Sequence, residues 1–321
     1  MITCNACGSH NVKDTITAKE MMMGTGELFT YSECGVCGSL SLQNIPTDYK
    51  RWYGKGYYST QTNVEQLFSH PIKNWMKAQR DRFCLTGKGW AGKWLQKIIP
   101  NRAIELINFR NLGLVTASRI LDVGCGTGKL TYLLYNAGFT HIKGLEPFLE
   151  KDIYYSNGLT IKKGWLHEWG DTSFDIILFN HSFEHVPDPK ATLLQAKQLL
   201  SSGGKIYIRI PTVTSFAFET YRENWVQLDA PRHITLFSKE GIRKLAAVCG
   251  LQVVSTVSEG TFFQFLGSEQ YKMEIPLYGD KRSWFEGNTT LFTQLQIDEW
   301  NRKVLMLNHE HNGDAIAIIL S

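Results

Sequence analysis

Two short cysteine pairs open the chain. Cys4-x-x-Cys7 and Cys34-x-x-Cys37 are each followed by glycine, Gly8 and Gly38. This spacing turns two thiolates onto one ion, and four thiolates in a tetrahedron suit Zn²⁺. The pattern reads as a zinc ribbon with Cys4, Cys7, Cys34 and Cys37 as ligands. The four sulfurs fill the coordination shell, so the ion is expected to be structural. A module this small buries too little apolar surface to fold alone, and the metal is expected to hold it together. Two redox dithiols are the other reading, but no thioredoxin-like βαβ pattern surrounds the pairs.

The second cluster is Asp122-Val123-Gly124-Cys125-Gly126-Thr127-Gly128, between an apolar run and a helical pattern. Glycines at alternate positions admit positive φ and let a backbone approach a ligand closely. The helix that follows presents unpaired N–H groups and a positive dipole end. The spacing is G-x-G-x-G, where a dinucleotide fingerprint would be G-x-G-x-x-G. The next apolar run ends at Gly144-Leu145-Glu146-Pro147. A carboxylate there offers two acceptor oxygens to a pair of ribose hydroxyls. Cys125, inside the turn, reads as a small packing residue.

The elements that position these groups alternate between strand and helix. Residues 119–123, 141–145, 174–179, 205–210, 251–257 and 315–320 read as strands. Residues 129–137 show helical spacing and stop at Gly138. Asp188 is placed to cap a helix over 189–200, with Pro189 at its first position and Gly203-Gly204 beyond it. Ser238 is placed to cap a helix over 239–249. Strands joined by helical crossovers imply a mostly parallel sheet covered on both faces. Residues 211–237 and 258–312 break this rhythm, each after a strand, where binding groups collect. Three segments follow: a ribbon over 1–45, an aromatic and basic linker or lid over 46–115, and a larger α/β domain over 116–321. In the linker, Trp75, Trp90 and Trp94 read as core of a helical layer. Tyr57 and Tyr58 read as a lid.

Composition sets the outer bounds. The chain has 321 residues, 43% hydrophobic and 20% charged, with 34 Lys and Arg against 30 Asp and Glu. That excludes disorder as the dominant state. A net charge of +4 does not by itself imply nucleic acid. No apolar run approaches the roughly 20 residues of a membrane span, and no secretory signal is visible. Seven cysteines, four of them in metal-type pairs, suit a reducing compartment. The expectation is a cytoplasmic protein with no membrane partner.

The run Ile120 to Gly128 and then Gly144-Leu145-Glu146-Pro147 resembles motifs I and II of class I S-adenosylmethionine-dependent methyltransferases. The resemblance extends through Gly164-Trp165-Leu166, Phe174 to Ile177, Asn180 to Pro189, and Leu199 to Ile206. It covers residues 118–257 and the final strand. It implies a Rossmann-like α/β fold, with a seven-stranded, mostly parallel sheet whose last strand is antiparallel. It implies S-adenosylmethionine as methyl donor, with Gly124, Gly126 and Gly128 along its methionine part and Asp122 near its ammonium group. Glu146 would hold the ribose, and Trp165 and Leu166 would flank the adenine. Asn180 and His181 would end the fourth strand beside the sulfonium methyl.

A ribbon ahead of such a domain is similar to bacterial sugar and polysaccharide-pathway methyltransferases. The segment Tyr49-x-x-Trp52-Tyr53-x-x-x-Tyr57-Tyr58 and the segment Leu228 to Ser238 carry that similarity. It implies a small-molecule acceptor, a sugar or nucleotide sugar. Arg232-His233 stands where sugar C-methyltransferases have an acid–His pair, which favours O- over C-methylation. O-methylation needs a base for a hydroxyl, and His185, His233, His181 and Glu184 are the candidates. Arg232 and Arg209 could hold a phosphate or carboxylate of the acceptor. Two other readings stay open. One is an RNA-modifying methyltransferase gripping RNA through the ribbon and basic linker, although nucleic acid is not the expected partner. The other is a non-catalytic module that binds the cofactor.

Overall fold

The computed structural model describes residues 2–48, 51–52, 63–101, 104–170 and 173–321. Tyr57 and Tyr58, read as a lid, lie outside the described residues. The chain forms two compact units. One gathers residues 1–52, 183–191 and 209–318; the other gathers 53–182, 192–208 and 319–321.

In the second unit, β4 (Ile120–Val123), β5 (Ile142–Glu146), β7 (Thr160–Lys163) and β8 (Phe174–Asn180) form the sheet's centre. The pairs β4–β5, β4–β8 and β5–β7 are parallel. Every residue of β4 is buried, as a strand covered on both faces should be. The full hydrogen-bonding order is β11-β12-β9-β8-β4-β5-β7-β6. Here β9 is Leu200–Pro211, β11 is Val253–Glu259 and β12 is Ala315–Leu320. Seven strands were expected, and eight are present in this sheet among the described residues. The additional one is β6, the two residues Ile153–Tyr154, antiparallel to β7. A turn through Asn157-Gly158 makes it, with Gly158 at φ 94 and a Tyr155 N–H to Leu159 O bond of 2.9 Å. Asn-Gly is a strong short-range hairpin signal.

Helix 189–198 begins where Asp188 Oδ1 accepts the Ala191 N–H at 2.9 Å. Helix Lys239–Val248 begins at Ser238, whose Oγ accepts the Gly241 N–H at 2.8 Å. Both caps follow the sequence signals. The linker is helical over Pro71–Thr86, Trp90–Ile98 and Ile104–Phe109, but the three tryptophans expected in its core are not there. Trp75, Trp90 and Trp94 are 57%, 86% and 59% exposed. The reason lies at Gly92, where an added Cβ would stand 2.2 Å from Gln79 O. The two longer helices approach there, so Gly92 and Leu95 form the buried stripe. Trp90 and Trp94, one turn apart, fall on the opposite face.

The first unit holds the ribbon, and a late segment completes it. Strands β1 (Val12–Lys19), β2 (Leu28–Cys34) and β3 (Leu40–Leu42) pair in order with β10 (Thr235–Leu236). Residues 1–45 are therefore not a separate bead. Ile16, Tyr31, Leu40 and Leu42 share one core with Trp225, Leu236 and Phe265. No described helix is long and apolar enough to cross a membrane.

Candidate active site

In the second unit, Gly124, Gly126 and Gly128 all adopt positive φ, at 73, 57 and 79°. Two of the three also answer to packing. A Cβ on Gly124 would stand 2.4 Å from Ser182 Cβ, and one on Gly128 would stand 2.5 Å from Ile161 Cδ1. Ser182 Oγ donates to Val123 O at 2.6 Å, tying the end of β8 to the glycine turn.

Glu146 is buried, and its carboxylate accepts the Gly126 N–H at 2.9 Å and the Phe148 N–H at 3.0 Å. Each oxygen has a second lone pair, so the group that shapes the turn can also accept from a ribose. Trp165 is 42% exposed and Leu166 is buried. Phe148 meets Trp165 edge-on, with centroids 5.8 Å apart. This aromatic pair at the ends of β5 and β7 suits a flat heterocycle. Phe148 escaped sequence reasoning, although its place two residues after Glu146 was a signal. We expect Glu146→Ala to weaken S-adenosylmethionine binding by about 1.5–3 kcal/mol, the worth of a hydrogen bond to a charged group. Titration calorimetry would show it, and unchanged affinity would reject the ribose role.

Asp122 is 2% exposed and accepts from Thr131 Oγ1 at 2.7 Å. Burial, aided by the charge of Glu146, raises its carboxyl to about 6. A cationic ammonium group is held by the ionised form. Affinity for the donor should therefore be constant well above pH 6 and weaken as pH falls through that value. The slope should approach about tenfold per unit, one proton being lost on binding. A flat profile between pH 5 and 7 would remove Asp122 from the site. Burial pushes the Cys125 thiol well up, which fits packing and not nucleophilic attack. Asn180 and His181 stand at the end of β8, and His181 is a non-glycine residue at φ 54. Such strain gathers at functional sites.

Directly after this strand end the chain enters the first unit, where His185 and His233 come together. Their ring centroids are 4.7 Å apart. His185 Nδ1 bonds Arg232 O at 2.8 Å, and His233 Nδ1 bonds Gln227 O at 2.7 Å. A carbonyl only accepts, so each neutral ring carries its proton on Nδ1 and its lone pair on Nε2. Two acids face His233 Nε2, Glu184 Oε1 and Asp229 Oδ2, each at 3.9 Å. Acids therefore stand near His233 in space although position 232 is an arginine, so residues 232–233 alone do not separate O- from C-methylation. Burial and the neighbouring His233 hold His185 below the ordinary imidazole value. Burial pushes Asp229 up, but Arg232 and the imidazoles outweigh it, and its carboxyl lies below the usual range. His181 belongs to the other unit, so the structure joins two of the three candidate histidines in one cluster.

Both candidate acceptor arginines are committed elsewhere. Arg232 is fully buried, bonded to Asp229 at 2.6 Å and Glu20 at 2.7 Å. Arg209 is paired with Glu259. A buried guanidinium needs carboxylate partners, which is why neither is left for an acceptor phosphate.

The ribbon cysteines form two matching knuckles. Gly8 N–H donates to Cys4 O at 2.9 Å and Gly38 N–H to Cys34 O at 2.8 Å. The four Sγ atoms lie within 4.8 Å of one another, with Cys4–Cys37 and Cys7–Cys34 both at 3.6 Å. A tetrahedral Zn–S site has sulfur–sulfur edges of about 3.8 Å, so the donor set fits that ion.

A family model described as a methyltransferase domain matches residues 95–256, and the chain belongs to that family. It is 26% identical over 165 residues to a ubiquinone biosynthesis O-methyltransferase of Xanthomonas oryzae pv. oryzae, covering 45% of this chain and 65% of that protein. It is 32% identical over 126 residues to the protein of the same name in Aromatoleum aromaticum, covering 36% of this chain and 52% of that one. The chain thus spans between half and two thirds of those relatives' lengths. Among solved structures it is similar to a SAM-dependent methyltransferase of Archaeoglobus fulgidus, at 18% identity and a TM-score of 0.42, covering 72% of this chain and 99% of that one. It is also similar to one of Mesorhizobium loti, at 15% identity and a TM-score of 0.44, covering 68% and 98%.

Proposed function

We propose that this protein transfers a methyl group from S-adenosylmethionine to a hydroxyl of a small molecule, with a sugar or glycan precursor as the favoured acceptor. The observation that carries the reading is the cluster of Glu184, His185 and His233. The bound donor supplies an electrophilic methyl on a sulfonium. Glu146 holds its ribose, Phe148 and Trp165 flank its adenine, and Asp122 balances its ammonium group. Gly124, Gly126 and Gly128 leave room for its methionine part.

The acceptor is activated at the imidazole pair. The tautomers imposed by Arg232 O and Gln227 O keep the lone pairs on Nε2, and a neutral imidazole can take a hydroxyl proton there. The acceptor oxygen then bonds to the methyl carbon as the sulfur–carbon bond breaks, its electron pair staying on sulfur. Asn180 and His181, at the end of β8, are assigned to the side of the sulfonium methyl. Zn²⁺ on Cys4, Cys7, Cys34 and Cys37 holds the ribbon and takes no part in the chemistry.

The names of the Xanthomonas and Aromatoleum relatives support O-methylation of a small molecule. The sugar acceptor rests on the resemblance of residues 228–238 alone among described segments. Incubation with methyl-labelled S-adenosylmethionine and two cell fractions tests it. Label should enter a small-molecule pool containing nucleotide sugars. Label in total RNA would overturn the acceptor class and recast the exposed Trp90, Trp94 and neighbouring lysines as an RNA grip.

A further inference from the structure

We propose that Glu184, His185 and His233 bind a divalent transition-metal ion, a second metal site distinct from the ribbon, and that the ion takes the acceptor hydroxyl as a further ligand. The inference deepens the functional reading and rests on it for the acceptor, but not for the metal.

Three features support it. The first is the donor set. One carboxylate oxygen and two imidazole nitrogens lie within 4.8 Å of one another, and Glu184 Oε1 stands 3.9 Å from His233 Nε2. Ligands about 2.1 Å from a first-row ion stand roughly 3–3.5 Å apart, so a modest contraction closes the site. Two imidazoles and a carboxylate suit Mn²⁺, Fe²⁺, Co²⁺ or Zn²⁺ better than Mg²⁺ or Ca²⁺. Three protein ligands leave coordination positions for a substrate oxygen.

The second feature is the surrounding shell. A metal-bound histidine usually gives its other N–H to a carbonyl or carboxylate, which fixes tautomer and ring orientation. Both rings do so here, His185 to Arg232 O and His233 to Gln227 O. Glu184 is held as well, its main-chain oxygen accepting the Ile234 N–H at 2.9 Å. One short segment, Arg232 to Ile234, therefore supplies a ligand and orients the other two.

The third is charge. Glu20 and Asp229 pair with the fully buried Arg232 guanidinium, while the buried Glu184 faces His233 Nε2. A buried carboxylate such as Glu184 favours a positive charge beside it. A coordinated hydroxyl is also far more acidic than a free one. Its proton can leave to water, and the oxygen then accepts the methyl as described above. In that state the imidazoles act as ligands and the ion does the acidifying.

The test uses the full chain with its ribbon metal in place, without donor or acceptor, and Mn²⁺ as probe, because a four-thiolate site discriminates against it. Electron paramagnetic resonance should show one bound Mn²⁺ per chain, with nitrogen modulation from two imidazoles. Glu184→Gln and His233→Gln should each weaken Mn²⁺ binding about tenfold or more while S-adenosylmethionine still binds. No Mn²⁺ binding by the wild type, or bound Mn²⁺ without imidazole modulation, overturns the site whether or not either variant folds. Equal Mn²⁺ affinity in both folded variants also overturns it. Mn²⁺ bound as expected by a protein that methylates neither pool upholds the metal site and removes the acceptor reading, so the two fail separately.

Discussion

His233→Gln should lower kcat for methyl transfer by about 10²–10⁴, the range lost with a positioned acid–base group, while S-adenosylmethionine affinity stays within about twofold. Glutamine can still donate to Gln227 O, so the substitution removes the Nε2 lone pair and keeps the local bond. The backbone role also survives, since Tyr31 donates to the His233 carbonyl at 2.8 Å. Any route through this ring, as proton acceptor or as metal ligand, is lost together with the lone pair. The split is diagnostic because the groups assigned to the donor lie in a different unit of the chain. Steady-state kinetics beside a donor titration would check it. A variant with near-normal kcat would remove the cluster from the reaction, and one that lost donor affinity would point to a role in folding.

Cys37→Ser should be the most damaging single change to stability. Structural zinc in small modules contributes on the order of 10 kcal/mol, comparable to the whole stability of a domain. The loss would not stay local. Ile16, Tyr31, Leu40 and Leu42 from the ribbon strands pack into the core with Val213, Trp225 and Phe265, and Cys37 O accepts a bond from Ser238. Thermal unfolding should shift far lower than for Glu146→Ala, and metal analysis should find about one zinc per wild-type chain and much less in the variant. Wild-type protein that is stable and zinc-free would contradict the ribbon assignment.

The glycine turn, the strand ends and the helix caps were legible because their signals are local. The glycines of 124–128 need positive φ, Glu146 ends a strand, and Asp188 and Ser238 sit one residue before their helices. The cysteine spacing was equally direct. What escaped depends on distant partners. That Thr235–Leu236 completes the ribbon sheet is written in no local pattern, because a two-residue edge strand has no period to read. Arg232 reads as an anion holder until Glu20, over 200 positions away in sequence, is found beside it. Asp229 four residues before His233 could have been flagged as the missing acid. The tryptophans misled because apolar spacing does not say which face a helix buries, and Gly92 decided that here. The long segment 258–312, left without structure, contains the helix Gln294–His309. It opens on a Thr293/Gln296 capping box, a signature readable in sequence.

The protein is expected to transfer a methyl group to the oxygen of a small molecule. The most direct measurement is to isolate the labelled product from the small-molecule fraction, locate the new methyl by nuclear magnetic resonance, and count S-adenosylhomocysteine formed beside it. One S-adenosylhomocysteine should form for each methyl added, with the methyl on oxygen. A methyl on carbon, label confined to RNA, or S-adenosylmethionine bound and never consumed would contradict it.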